Sequence, residues 1–145
     1  MTGTAKTPLH LWIVGALSLL WNSFGGYDYI MTQTQNAAYL AMFSPEQKAF
    51  FASFPVWMEA CWALGVWGAV AGSILLLLRS RHAVTAFAVS LAGLAISTIW
   101  QFGLSGVDVS KVFGTGPLIM NAVIWAVAIV LLVYANRQRK AGALH

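Results

Sequence analysis

The sequence predicts an all-α integral membrane protein: a four-transmembrane-helix bundle with a short amphipathic outer helix between helices one and two. Two observations predict it. The first is composition: the 145 residues are 59% hydrophobic and 8% charged, where a soluble domain carries about a quarter charged residues. The second is arrangement. The apolar residues gather in four blocks, near residues 9–31, 55–78, 83–104 and 117–135, and one helical crossing of a bilayer core takes roughly 20 such residues. Little chain is left over, so residues 1–145 read as one membrane domain.

Charge then orients the bundle. A formal net charge of +4 would suggest nucleic acid in a soluble protein, but its distribution argues for topology, and no nucleic acid is expected as a partner. Lys6, Arg79, Arg81, Arg137, Arg139 and Lys140 flank the same ends of the blocks, while Lys48 and Lys111 alone fall in the alternate loops. Basic residues accumulate on the cytoplasmic side of membrane proteins. Both termini and the turn around Arg79 are therefore expected inside, with Asp28, Glu46, Glu59 and Asp108 at or near the opposite side.

Helix one begins near Leu9, with Trp12 at the inner interface. Residues 11–21 have the length of a signal-peptide core, but one Lys precedes them and no small-x-small cleavage site follows, so an uncleaved helix is expected. Beyond Trp21 the helix turns polar. Asn22, Gly26, Tyr29, Gln33 and Asn36 recur at spacings of four and three and would form one stripe if the helix continued. The amphipathic segment 32–54 is expected at the outer surface. Within it Ser44-Pro45-Glu46-Gln47 has the pattern of a capping box with Pro in the first turn, predicting a short helix over 45–53. Its Phe50 and Phe51, with Phe54, would face lipid or protein.

Pro55 opens helix two. Its run Gly68-Ala69-Val70-Ala71-Gly72 is a small-xxx-small face on which two backbones can approach closely. The face can close the monomer or join a homodimer. Helix three carries Ser90, Gly93, Ser97 and Gln101 on one side, and helix four carries Asn121, Trp125 and Ala128. These stripes read as inward packing faces.

The chain also resembles itself. Ser18-Leu19-Leu20-Trp21-Asn22-Ser23-Phe24-Gly25 is matched by Ser97-Thr98-Ile99-Trp100-Gln101-Phe102-Gly103, and Pro55-Val56-Trp57-Met58-Glu59-Ala60 by Pro117-Leu118-Ile119-Met120-Asn121-Ala122. Two parallel-repeat hairpins, both entered from the cytoplasm, would explain the match; shared membrane grammar would also produce it. The pairing sets Asn22 against Gln101 and Glu59 against Asn121.

Polar side chains at membrane depth are costly, which makes them candidates for function. The ligand-binding candidates are Asn22, Asp28, Tyr29, Glu59, Gln101 and Asn121, all toward the outer half, above an inner half whose polar groups are Ser18, Ser73 and Ser90. This predicts a polar outer vestibule over an apolar plug. No catalytic residue, metal site or cofactor is expected. His10 and His82 lie at the inner surface and His145 in the tail, leaving no matched pair of haem ligands, and Cys61 is the one cysteine.

The segment Trp21-Asn22-Ser23-Phe24-Gly25-Gly26-Tyr27-Asp28-Tyr29-Ile30-Met31-Thr32, followed by Asn36, Tyr39 and Leu40, resembles a family of small four-helix bacterial inner-membrane proteins. Phe43-Ser44-Pro45-Glu46 and Ala63-Leu64-Gly65-Val66-Trp67 extend the resemblance over most of the chain. Some members carry the label sugar transporter. The resemblance implies a multi-pass place in the bacterial inner membrane and brings no substrate, cofactor or catalytic residue with it. Two functions follow. One is binding or transport of a small-molecule substrate through the outer vestibule. The other is a non-transporting accessory, assembly or lipid-interacting role, with membrane lipids as partners. A continuous polar path inward from Asp28 would favour the first, and a sealed apolar inner half the second.

Overall fold

The computed structural model describes residues 7–145, and among these residues every regular element is helical. Lys6, one of the orienting cations, lies outside them. The chain runs α1 (Leu9–Gln33), α2 (Ala37–Leu40), α3 (Pro45–Ala52), α4 (Val56–Leu77), α5 (Ala83–Ile99) continued by a π turn (Trp100–Leu104), α6 (Val109–Phe113) and α7 (Gly116–Lys140). Three helices, α4, α5 with its π turn, and α7, are long and apolar enough to cross a membrane. Their apolar side chains mostly face outward: only 11% of the most apolar stretch of α7 is buried inside the protein. That surface is compatible with a membrane protein. α1 equals α7 at 25 residues, but the polar run from Asn22 to Asp28 dilutes its C-terminal half.

Local chemistry explains where the helices begin and end. Ser44 Oγ accepts the Gln47 N–H at 3.2 Å, and Gln47 Oε1 accepts the Ser44 N–H at 3.0 Å, the capping box expected for α3. Pro55 caps α4, as its missing N–H and fixed φ favour. α4 stops in a Schellman turn: Arg79 takes φ 57°, its N–H reaches the Leu76 carbonyl and the Ser80 N–H reaches that of Leu75. Gln35, at φ 51°, ends α1 in the same way through the Thr32 and Met31 carbonyls. Neither stop uses glycine, so no residue type announces the left-handed positions, although the apolar block ending at 78 and the basic turn around Arg79 mark the end of α4.

α4 packs against both α1 and α5, and α5 packs in turn against α7. The α4–α5 contact is the closest. A methyl added at Gly93 would sit 2.5 Å from the Cys61 carbonyl oxygen and 2.7 Å from the Gly65 nitrogen, and one at Gly72 would sit 2.6 Å from the Phe87 ring. The small face of α4 is thus filled by α5 of the same chain. Ser90 Oγ, donating to the Gly65 carbonyl at 2.6 Å, stitches the same seam.

The two ends differ. At the basic end Leu11, Leu76, Ala83, Phe87, Leu131, Ala135 and Leu144 form a buried apolar cluster. His10 Nδ1 and the Tyr134 hydroxyl, 2.5 Å apart, join α1 to α7 there. The final residues fold back onto the α4–α5 turn, where the Arg79 guanidinium donates to the Ala143 carbonyl and the His145 N–H to that of Arg79. At the other end Phe50, Met58, Trp100 and Val109 are buried together, with Phe51, Phe54 and Phe113 around them. The phenylalanines of α3 thus face protein, and Gln47 ties α3 to α6 through the Val112 carbonyl.

Candidate functional site

Between the flanking helices lies a cavity of about 470 Å³. Each long helix contributes one face at helical spacing. α1 supplies Trp21, Asn22, Phe24, Gly25 and Asp28; α4 supplies Trp62, Gly65, Val66 and Ala69. α5 supplies Phe87, Ser90, Leu94 and Ser97, and α7 supplies Met120, Ile124, Val127, Ala128 and Leu131. At ~1.5 Å per residue, the stretch of α7 involved makes the cavity about 16 Å deep along the bundle. Phe87 and Leu131 belong to the apolar cluster at the basic end, so the floor is closed and apolar. Phe24 on α1 and Met120 on α7 are exposed rim residues, 72% and 51% accessible, so the cavity opens sideways between those two helices.

Most polar atoms near this wall are already engaged. Asn22 Nδ2 donates to the Ala69 carbonyl at 3.2 Å and to Ser73 Oγ at 3.0 Å, pinning α1 to α4. Ser73 passes its own proton to the Ala69 carbonyl, and Ser97 to that of Leu94. Among the described residues no buried side-chain nitrogen or oxygen lacks a partner. Asp28 differs. Its partner is the Tyr39 hydroxyl, donated from α2, and among the described residues no Lys, Arg or His lines the cavity beside it. Burial, reinforced by the Asp28 carboxylate, holds the Tyr39 phenol well above its ordinary pKa.

Of the six candidates read from sequence, the structure brings Asn22 and Asp28 together on the cavity wall. Tyr29 instead packs edge-on against Trp62 and Trp67, at centroid distances of 4.9 and 6.0 Å. Gly26 is buried under Trp67, so the stripe from Asn22 through Tyr29 is the α1 face against α4. Asn36 leaves that stripe because α1 ends at Gln33, and it caps α2 by accepting the Tyr39 N–H. Glu59 stands in the first turn of α4, where the helix dipole favours a carboxylate. Gln101 sits in the π turn, its carbonyl accepting the Ser105 hydroxyl, and Asn121 is half-buried on α7; neither lines the cavity.

The expected polar vestibule is therefore largely apolar, since most of the candidate polar groups serve helix ends and seams. Sequence reading missed Trp62, Phe24, Met120 and Ile124 as wall residues. Met120 and Ile124 stand one turn apart on α7, but in a helix apolar on most sides that spacing does not single out one face. Among the described residues no cluster of His, Cys, Asp and Glu could hold a metal ion. No protein-family model, curated protein or solved structure matches the chain.

Proposed function

We propose that this protein holds an amphiphilic, lipid-like molecule in the cavity between α1 and α7 without conducting it across the bilayer. Of the two functions weighed from sequence, this is the lipid-interacting one. The observation that carries it is the cavity: sideways opening, apolar wall, closed apolar floor. Its volume falls in the ~300–1,000 Å³ range of small-molecule sites. A hydrophilic solute would leave water for a wall returning few hydrogen bonds, at about 1–3 kcal/mol for each polar group left unpaired. A hydrocarbon chain arriving from the bilayer incurs no such cost, exchanging its lipid contacts for those of the apolar wall.

The setting proposed is a four-span bundle in the bacterial inner membrane with both termini cytoplasmic. Supporting it are the cations gathered at one end, the family resemblance, and the length of α1, whose exposed Leu17, Leu20 and Phe24 suit lipid contact. Native mass spectrometry of gently extracted protein tests the binding. The wild type should carry one lipid-sized adduct and Ala69→Trp, which fills the cavity, none. A wild type that never retains lipid, but moves a soluble sugar after reconstitution, would overturn the proposal. Orientation is tested separately in a Cys61→Ser background, where an impermeant thiol reagent should label Lys48→Cys from outside and leave Arg81→Cys untouched.

A further inference from the structure

The cavity has a chemically distinctive end. The chain has four acids, and three have a helix N-terminus to explain them: Glu46 in the first turn of α3, Glu59 in that of α4, and Asp108 as the cap of α6. Asp28 has none. It stands in the C-terminal half of α1, away from any helix N-terminus, half-buried in the wall of an apolar cavity. Among the described residues the Tyr39 hydroxyl is the one donor that reaches it, and it reaches one carboxylate oxygen. The hydroxyls of Ser90 and Ser97 are spent on backbone carbonyls. Among the described residues the lining thus presents one anionic acceptor and no cation.

We infer that the molecule held here is a cationic amphiphile: a single hydrocarbon chain along the wall from Met120 to Leu131, ending in an ammonium group on Asp28. The inference deepens the lipid-holding function proposed above and rests on it. Charge complementarity selects the head group. An ammonium donates a charge-assisted hydrogen bond to the free carboxylate oxygen. A phosphate or carboxylate head would meet Asp28 as a like charge with no lysine or arginine to offset it. A neutral alcohol would fit the wall and donate to Asp28, but without the attraction between opposite charges.

A matched series tests this on full-length protein in a neutral maltoside: hexadecylamine, hexadecanol and hexadecanoate, read by titration in native mass spectrometry. In the wild type the amine should bind about tenfold or more tighter than the carboxylate, the alcohol falling between, as one charge-assisted hydrogen bond predicts. Asp28→Asn should bring the three affinities within about threefold, while Asp28→Glu should keep the order. Ratios within each variant cancel any general loosening of the cavity. Hexadecanoate binding the wild type as tightly as hexadecylamine overturns the inference whatever the variants do, and so does a preference that survives in Asp28→Asn. If none of the three binds, or Ala69→Trp leaves all affinities unchanged, the cavity itself is not the site and the proposed function fails with it.

Discussion

Asn22 and Ser73 lie 51 residues apart, yet the Asn22 amide reaches the Ser73 hydroxyl at 3.0 Å and, with its second proton, the Ala69 carbonyl. This one side chain fastens α1 to the central helix at cavity level. Interhelical hydrogen bonds in membranes average ~0.6 kcal/mol by double-mutant cycles and reach about 1.7. Asn22→Ala should therefore destabilise the protein by about 1 kcal/mol in a detergent-unfolding titration. Ser73→Ala added to it should cost little more, since the two share one bond; strictly additive losses would show that the pair does not interact.

The α4–α5 seam yields a steeper prediction. A methyl at Gly93 would fall inside contact distance of two backbone atoms of α4, and backbone cannot rotate away as a side chain can. Gly93→Ala should cost about 1–3 kcal/mol, the range for overpacking, and shift the thermal midpoint down accordingly. Gly103→Ala, where nothing lies within 4 Å, is the matched control and should leave the midpoint nearly unchanged. Equal effects at the two positions would mean that the seam is looser than described.

How far these features were legible in the sequence depends on whether their cause is local. The α3 start was legible because a capping box is complete within Ser44 to Gln47. So was the close approach at Gly68 and Gly72, though its partner, α5 of the same chain rather than a second copy, was not. The gap between α1 and α7 had no signature, because an absence of packing between two apolar helices leaves their composition unchanged. Asp28 drew attention as an acid near the membrane, but its link to Tyr39 depends on α2 folding back. That depends on Gln35 in a left-handed conformation that no glycine announces.

Truncating that legible cap gives a local test. Ser44→Ala removes the acceptor of the Gln47 N–H and leaves the first turn of α3 open. Such losses cost about 1 kcal/mol. Because α3 bears Phe50, buried with Met58, Trp100 and Val109, fraying should spread to this aromatic cluster and spare the basic end. Amide exchange should speed up across α3 and α6, with the amides of α1 near Leu11 unchanged. Uniform acceleration along the chain would count against α3 as a local cap.

The Tyr39–Asp28 contact predicts an alkaline limit. Burial comes first in raising the Tyr39 pKa, and the hydrogen bond to Asp28 and its negative charge follow. The folded state thus keeps a proton that the unfolded state releases near the ordinary tyrosine value of 10.0. Stability from this group is complete below about pH 10 and declines as pH rises from there toward the folded value. Between those limits the tyrosinate absorbance of folded wild type should equal that of folded Tyr39→Phe, since Tyr39 is not ionised. Unfolding both proteins at the same pH should make the wild type exceed the variant by one tyrosinate. Asp28→Asn removes the hydrogen bond to a carboxylate and the charge while leaving burial, so Tyr39 should then ionise at lower pH than in the wild type but still above its ordinary value. If Tyr39 titrates normally in the folded wild type, α2 does not close over Asp28, and the carboxylate has both oxygens open to the cavity.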